Sequence, residues 1–226
     1  MPSTARTHQL KQSLIYHIFN RGHNRDRIFR DQDDYRYFIK RLAEYSSASD
    51  MRVYHWALMP NHYHIVAEID PPEKLSSLMA GLGRSYVHYH HKKYKTAGFV
   101  WQGRFKSQPI QKELYLLVCG RYVERNPVMA RMVNNAWEYE FSSARFYVTG
   151  EPDAITYQAP LFSTFAGTAD AQRQNYKGFL QSFNREEDSF FENMEFPRGS
   201  REFVKRLVKD SGRFVPRRQG RVAVAA

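Results

Sequence analysis

The sequence predicts an α+β fold: a ferredoxin-like βαββαβ unit with an antiparallel sheet, a further helix after it, and a mostly helical C-terminal extension. Segments with strand and helix patterns follow one another as strand, helix, strand, strand, helix, strand, which is the split βαβ order. A tight-turn pair, Pro60-Asn61, separates the two central strands. After residue 149 the strand pattern ends, so we predict a domain over residues 1–149 and an extension over 150–226.

The first strand and helix have clear local signals. Residues 13–20, "SLIYHIFN", are apolar and rich in aromatic and β-branched side chains, as in a buried strand. A polar loop, "RGHNRDRIFR", follows. Asp31, with Asp34 three residues later, is typical of a helix start, and the helical pattern runs to about Ser47.

The remaining elements of the unit follow from the same patterns. We predict strands over 51–59 and 62–70, a long helix over 71–94, and a fourth strand over 98–110 with a turn at Gln102-Gly103. A helix over about 111–125 should stop at Asn126-Pro127, because proline disfavours helix in the residue before it. In the extension, "GSREFVKRLVKD" predicts a helix whose N-cap is Ser200.

The charge of the chain is basic and unevenly distributed. The 226 residues include 34 Lys and Arg against 23 Asp and Glu, a formal charge of +11. Residues 1–149 hold 22 basic and 13 acidic residues, and the remainder holds 12 and 10. This excess suits a polyanion such as nucleic acid, although a basic surface that only keeps the protein soluble has the same composition.

Composition also excludes several classes. No run approaches the roughly 18 apolar residues of a membrane span, and the N-terminus shows no apolar core of a secretory signal. Cys119 is the single cysteine, which excludes an internal disulfide and fits a reducing compartment. We therefore expect no membrane partner and a cytoplasmic location.

A pair of histidines stands in the third strand, in "MPNHYHIV". Side chains two residues apart in a strand share a face, so His62 and His64 point to the same side and can converge on a transition-metal ion. His55 and His17 lie on other strands of the predicted sheet. An exposed polar strand face would carry the same two residues, so the pair alone leaves both interpretations open.

The helix after the fourth strand carries tyrosine, cysteine and asparagine side chains along one face. Tyr115, Cys119, Tyr122 and Asn126 are spaced 4, 3 and 4 residues apart and share one face. A tyrosine hydroxyl beside a metal can attack a phosphodiester, and the Asn126 carbonyl oxygen could complete a His, His, Asn metal site. A packed tyrosine and an asparagine at a helix stop remain the alternative.

Four segments together carry a resemblance to a known family. "MPNHYHIV" resembles the His-hydrophobic-His motif of the HUH single-strand endonucleases. "YHIFNRG" (16–22), "WALMPNHYHIV" (56–66), "VWQGRFKS" (100–107) and "RYVERNPV" (121–128) resemble, in order, the motifs of the REP-associated tyrosine transposases, which are IS200-like, single-tyrosine members of that superfamily. The resemblance covers about residues 13–147.

The resemblance implies an activity and roles for residues. It implies an endonuclease that nicks and rejoins single-stranded DNA at palindromic hairpins through a 5′-phosphotyrosine, with a divalent metal such as Mg²⁺ or Mn²⁺. Tyr122 is then the nucleophile, His62 and His64 are metal ligands, and Asn126 is the third ligand. Spacing alone does not separate Tyr122 from Tyr115; the family pattern favours Tyr122.

Basic residues beside these motifs are the candidate contacts to single-stranded or hairpin DNA, since cations follow phosphates. They are Arg21, Arg25, Arg27, Lys92, Lys93, Arg104, Lys106, Arg121 and Arg125. The four arginines after Asp210 form a basic tail that either contacts the hairpin, covers the active site or only solubilises the chain.

Two other functions fit the same sequence features. A replication initiator or relaxase uses the same chemistry, and a non-catalytic (domesticated) nucleic-acid-binding module would have a similar sequence. We expect a monomer; a homodimer that exchanges the tyrosine helix would use Gly120, just before Tyr122, as a hinge and not as a packing residue.

Overall fold

The computed structural model describes residues 14–112, 114–182 and 199–211. Its four strands are β1 (Ile15–Arg21), β2 (Met51–Met59), β3 (His62–Ile69) and β4 (Lys106–Ile110). They form one antiparallel sheet in the order β2-β3-β1-β4. The predicted fold class is confirmed, and the two strands predicted around Pro60-Asn61 agree with β2 and β3 to within one residue.

The register of the sheet decides which residues reach each face. In β1 and β3, His17 lies opposite Val66 and Phe19 lies opposite His64. Alternation then places His17 and His64, together with His62, on one face and Tyr63 on the other. The predicted shared face of the histidine pair therefore follows from the strand geometry.

Two helices cover the face that carries Tyr63. They are α1 (Gln32–Ala48) and α2 (Lys74–Tyr94), and they enclose an apolar core that includes Phe38 and Tyr86. Asp31 caps α1 in a capping box with Asp34, as predicted. This layer leaves the opposite face free for other helices.

The histidine face is covered by α3 (Leu114–Met129), with α4 (Ala144–Thr149) and α5 (Ala169–Gln181) packed beyond it. Their shared core includes Val66 of β3, Val123 of α3 and Tyr176 of α5. A Cβ on Gly120 would lie 2.6 Å from the His55 ring. Gly120 is therefore a packing residue where α3 crosses β2, and α3 runs through it without a break.

The prediction that α3 stops at Asn126-Pro127 is wrong. The helix continues through Pro127 to Met129. Proline has no N–H to donate to the carbonyl four residues earlier, which here belongs to Val123. The Asn126 side chain supplies the missing donor, because its Nδ2 donates to the carbonyls of Val123 (3.3 Å) and Tyr122 (2.8 Å). The residue read as a stop signal keeps the helix intact.

The fourth strand is shorter than predicted. Regular pairing begins only at Lys106, and residues 98–105 form a loop in which Trp101 makes an isolated bridge to Gly22. Gly98 has a positive φ of 94°, which breaks an extended strand. Arg104, predicted on the strand, lies in this loop.

The extension is helical in part. Besides α5 it contains α6 (Arg201–Ser211), where the Phe203 N–H donates to Ser200 Oγ, as the predicted N-cap requires. Residues 150–168 are instead irregular apart from an isolated bridge of Thr156 to Val53 and a 3-10 turn at Phe162–Phe165, and Pro152 and Pro160 disfavour a helix there. The basic tail lies outside the described residues. In the part of the chain that the structure describes, no helix is long and apolar enough to cross a membrane.

Candidate catalytic pocket

His62 and His64 lie side by side at the start of β3, with ring centroids 5.0 Å apart. His64 is buried and His62 is half-buried. Burial lowers the pKa of both imidazoles below the ordinary value of 6.5. Both rings are therefore neutral near pH 7, which is the form that binds a metal.

A hydrogen bond shows which ring nitrogen of His62 carries the proton. Its Nδ1 lies 2.7 Å from Asn61 Oδ1, and an amide oxygen only accepts, so Nδ1 carries the proton. The lone pair of the neutral ring is then on Nε2. Asn126 opposes the effect of burial by raising the pKa of His62 through a side-chain hydrogen bond.

His64 is held by a second histidine. Its Nδ1 lies 2.8 Å from Nε2 of His17, which is fully buried on β1. Burial lowers the pKa of His17 to about 4, and a hydrogen bond with Gln108 partly opposes this shift. A lone pair on His64 Nε2 requires that His64 Nδ1 donates to His17 Nε2 and that His17 carries its own proton on Nδ1.

Tyr122 is the tyrosine that α3 brings to these histidines. Its ring lies edge-on to His64, with centroids 5.8 Å apart, and 6.2 Å from His17. Tyr122 and Asn126 line the same pocket as the histidine pair. Tyr115 is outside that pocket and packs against the core beneath α3.

The pocket has a volume of about 840 Å³. Its lining includes four basic side chains: Arg21, Arg25, Arg104 and Lys106. All four are exposed, and Arg21 is fixed by donation from its Nε to Gln102 Oε1. Tyr122, two neutral imidazoles and four cations therefore line one cavity, an arrangement that suits a phosphodiester.

Two arginines predicted to contact DNA point elsewhere. Arg121 donates to Ser182 Oγ (2.8 Å) and lies over the Phe179 ring. Arg125 donates to the Leu180 carbonyl (2.6 Å). Both are buried against α5, so they join α5 to α3 and do not line the pocket.

The other predicted basic contacts also lie outside the pocket. Lys93 is 2.6 Å from Asp31 and 2.8 Å from Asp34, so it joins the end of α2 to the start of α1. Lys92 and Arg27 are exposed. Among these three side chains, Lys93 has its charge neutralised within the protein.

Sequence reasoning missed a buried polar cluster beneath α3. Glu124 is fully buried and contacts His55 Nδ1 (2.9 Å), Ser143 Oγ (2.6 Å) and the Tyr176 hydroxyl (2.9 Å). His55, which the sequence places on another strand of the sheet, is part of this cluster. The sequence did contain an indication of this cluster, because Glu124 lies one turn after Gly120 on the buried side of α3.

The predicted ligand set of two imidazoles and an amide oxygen has donor types that suit a divalent metal. Across the described ranges, no group of three His, Cys, Asp or Glu side chains is arranged to hold a metal. The predicted set does not need one, since its third member is Asn126. The Asn126 Nδ2 donates to backbone carbonyls, so Oδ1 is the atom of this side chain with a lone pair for a metal.

Comparison with known families defines the class. Residues 10–126, just over half of the chain, match the family described as "Transposase IS200 like". The chain therefore belongs to the IS200-like transposase family, and the predicted resemblance is confirmed.

Among solved structures, seven chains match. One is a REP-associated tyrosine transposase bound to a REP hairpin, with a TM-score of 0.55 and 16% identity over 70% of this chain and 96% of that chain. At this identity the likeness shows the shared fold. A comparison with curated proteins finds no match.

Proposed function

We propose that this transposase nicks and rejoins single-stranded DNA beside hairpin-forming palindromic repeats, with Tyr122 as its nucleophile. The observation that carries the proposal is the position of the Tyr122 ring, 5.8 Å from His64 in a pocket lined by four cations. Family membership supports the transposase activity. The hairpin-bound structural relative supports the choice of DNA.

The chemistry balances without a nucleotide cofactor. The Tyr122 hydroxyl oxygen attacks the phosphorus and loses its proton, the bond to the 3′ oxygen breaks, and that oxygen takes up a proton. The products are a 5′-phosphotyrosine and a free 3′-hydroxyl. In rejoining, a 3′-hydroxyl attacks the phosphotyrosine and Tyr122 is restored.

His62, His64 and Asn126 would hold a divalent ion, Mg²⁺ or Mn²⁺, through two imidazole Nε2 atoms and one amide oxygen. When bound, such an ion polarises the phosphate that is cut. Asn61 accepts from His62 Nδ1, and as acceptor from His64 Nδ1 His17 would hold the second ring in the tautomer that leaves Nε2 free. They are positioning residues, since they act through the ligands.

Arg21, Arg25, Arg104 and Lys106 are the proposed phosphate contacts, because they are exposed and line the pocket. Arg27 and Lys92 remain proposed contacts to DNA outside the pocket. We leave out Arg121, Arg125 and Lys93, whose polar groups serve contacts within the protein.

A monomer with a domain over residues 1–149 and an extension over 150–226 fits the packing. Helix α3 contacts its own β2 through Glu124 and His55. Helix α5 of the extension covers α3 through Arg121 and Arg125. These contacts favour a tyrosine that acts on DNA bound by its own chain.

The test is cleavage of a labelled hairpin with single-stranded flanks, with Mn²⁺ or with EDTA. The expected result is a covalent protein–DNA adduct that needs the metal and is absent from Tyr122→Phe, whereas Tyr115→Phe still forms it. Tight hairpin binding without any adduct would favour the binding-module alternative. Cleavage at a plasmid origin and not beside repeats would favour the relaxase.

A further inference from the structure

Two arginines of α3 bind the C-terminal end of α5. The Arg121 guanidinium donates to Ser182 Oγ (2.8 Å) and lies 4.4 Å from the centre of the Phe179 ring. Arg125 donates to the Leu180 carbonyl (2.6 Å). Only 5% of Arg121 and 8% of Arg125 is exposed, so both charges lie within the contact between the two helices.

The end of a helix is a place where a cation is favoured. Leu180 lies in the last turn of α5, and the carbonyls of a last turn need donors from outside the helix. The negative end of the helix dipole also lies there. Ser182 is the C-cap residue of α5, and its hydroxyl accepts from Arg121. Side chains of α3 therefore complete the end of α5.

The two arginines have a fixed geometric relation to the site residues of α3. Arg121 and Arg125 are one turn apart on one side of the helix. Tyr122 and Asn126 repeat that spacing one residue later, which is about 100° further around the helix axis. The first pair contacts α5, and the second pair lines the catalytic pocket. Contacts that hold the first pair therefore set the rotation of α3 that the second pair needs.

Directional contacts specify a position that apolar packing alone leaves less defined. Tyr176 and Leu180 of α5 share an apolar core with Val123 of α3, but such a core keeps its stability more readily than its unique arrangement. A hydrogen bond weakens steeply when its angle changes, and a buried guanidinium without its partner is costly. Two such bonds one turn apart therefore favour a single register between α3 and α5.

We propose that Arg121 and Arg125 are positioning residues for Tyr122: through α5 they hold the nucleophile helix where its tyrosine meets the histidine pair. This rests on the proposed function, because that function makes Tyr122 the nucleophile. It also gives the extension a role in the reaction, since α5 lies beyond residues 10–126, the part of the chain that matches the family.

The chain offers matched controls for the loss of these two bonds. Arg121→Met and Arg125→Met keep a long apolar side chain and lose the donors. Arg145→Met removes the same charge from an exposed arginine on α4. Tyr86→Phe takes the donor from another buried backbone carbonyl, in the opposite helix layer, and so controls for a loss of stability. Ser182→Ala, at an exposed position, removes the partner of Arg121 without a change in the core.

Cys119, the only cysteine of the chain, reports on α3 without any DNA. It is fully buried on this helix, so a thiol reagent labels it only when α3 leaves the sheet or the protein unfolds. We expect labelling of the Arg121 and Arg125 variants to be about ten- to a hundredfold faster than in wild type, the range for a lost hydrogen bond to a charged group. The rate should depend little on low urea concentrations, as for local opening. Tyr86→Phe and Arg145→Met should label at the wild-type rate.

The second measurement separates DNA binding from reaction. The hairpin affinity of both variants without metal should equal that of Arg145→Met, because the cations of the pocket are unchanged. The rate of adduct formation with Mn²⁺ and saturating hairpin should fall about ten- to a hundredfold, as expected when a reacting group is misplaced by about 1 Å. Arg125→Lys keeps a cationic donor and should recover part of this loss.

An adduct rate equal to that of Arg145→Met in both variants, or a loss that Tyr86→Phe matches, would overturn the proposal. If wild type forms no adduct at all, the proposed function fails, and the labelling of Cys119 decides separately whether the arginines hold α3. Faster labelling in the Arg121 and Arg125 variants alone would support that hold. Equal labelling in all variants would overturn it.

Discussion

At the residue scale, the site depends on which nitrogen of each histidine carries a proton. A neutral imidazole binds a metal only through the nitrogen that has none. Asn61 accepts from Nδ1 of His62, and a donation from His64 Nδ1 to His17 would likewise leave Nε2 for the proposed metal. Asn61 and His17 are therefore the residues that we expect to position the proposed metal ligands.

The first prediction concerns His17. His17→Phe keeps a ring of similar size but removes the contact to His64 Nδ1. We expect Mn²⁺ affinity to fall about tenfold to a hundredfold, as for loss of a partner of a metal ligand, measured by electron paramagnetic resonance on DNA-free protein. The exposed His88→Phe is the control; equal affinity in both variants would show that His17 does not position His64.

The second prediction concerns pH. Because burial lowers the pKa of His17 from 6.5 to about 4, the unfolded chain binds more protons than the folded one in that interval. The free energy of unfolding should therefore fall as pH drops from about 6.5 to about 4, by about 3 kcal/mol from this residue. Urea titrations across the interval should show a steep dependence in wild type and a shallower one in His17→Phe. Parallel curves would contradict the assignment.

The sequence predicted the common face of the histidine pair, but it did not predict where two arginine side chains point. Strand alternation is a strong rule, so the common face of His62 and His64 was predictable. The directions of Arg121 and Arg125 were not, because they depend on α5, which lies about 50 residues further along the chain. A basic side chain beside an active site has the same local sequence whether it meets DNA or another helix.

At the scale of the element, hydrogen bonds of Glu124 connect α3 to the elements around it. This buried carboxylate contacts β2 through His55, the start of α4 through Ser143, and α5 through Tyr176. It lies two residues from Tyr122, on the opposite side of the helix. The cluster therefore fixes the rotation of α3 that turns Tyr122 toward the histidines.

The third prediction tests this cluster. Glu124→Ala leaves three buried polar partners without their acceptor, and we expect the free energy of unfolding to fall by about 3–5 kcal/mol. Glu140→Ala removes a carboxylate that lies exposed, 3.8 Å from Arg36, and should change it by less than about 0.5 kcal/mol. Chemical denaturation compares the two. A similar small loss in both would mean that Glu124 does not hold α3.

The differences at element ends have local physical reasons. Proline predicts a helix stop when only its neighbours in sequence are considered, yet Asn126 donates to the carbonyl that Pro127 leaves unpaired. The early residues of the fourth strand have a strand-like composition, yet Gly98 and the Gln102-Gly103 turn divert them into the loop. Side-chain rescue and loop geometry are not visible in a periodic pattern.

At the scale of the whole molecule, some of the basic residues line the pocket and others pair with acidic residues within the protein. Arg104 and Lys106 line the pocket, whereas Lys93 is paired with Asp31 and Asp34. The net charge in the sequence does not distinguish these uses. The fold class was predictable from the order of strands and helices, because each segment of the unit shows the hydrophobic pattern of a strand or of a helix.

The fourth prediction separates these uses through salt. Each cation that meets a phosphate of single-stranded DNA adds about 0.7 to the slope of log affinity against log salt. Arg104→Gln and Lys106→Gln should each reduce the slope by about that amount, whereas Lys93→Gln should leave it unchanged. Fluorescence anisotropy between about 50 and 200 mM salt measures it. A reduced slope for Lys93→Gln alone would reverse the proposed division.

The central claim is that Tyr122, and no other tyrosine, becomes joined to DNA. The most direct measurement traps the adduct of the wild-type chain with Mn²⁺ and a hairpin substrate, digests it, and locates the nucleotide by mass spectrometry. We predict a 5′-linked nucleotide on the peptide that contains Tyr122. A nucleotide on the Tyr115 side chain, or an adduct that forms equally well in Tyr122→Phe, would contradict the account.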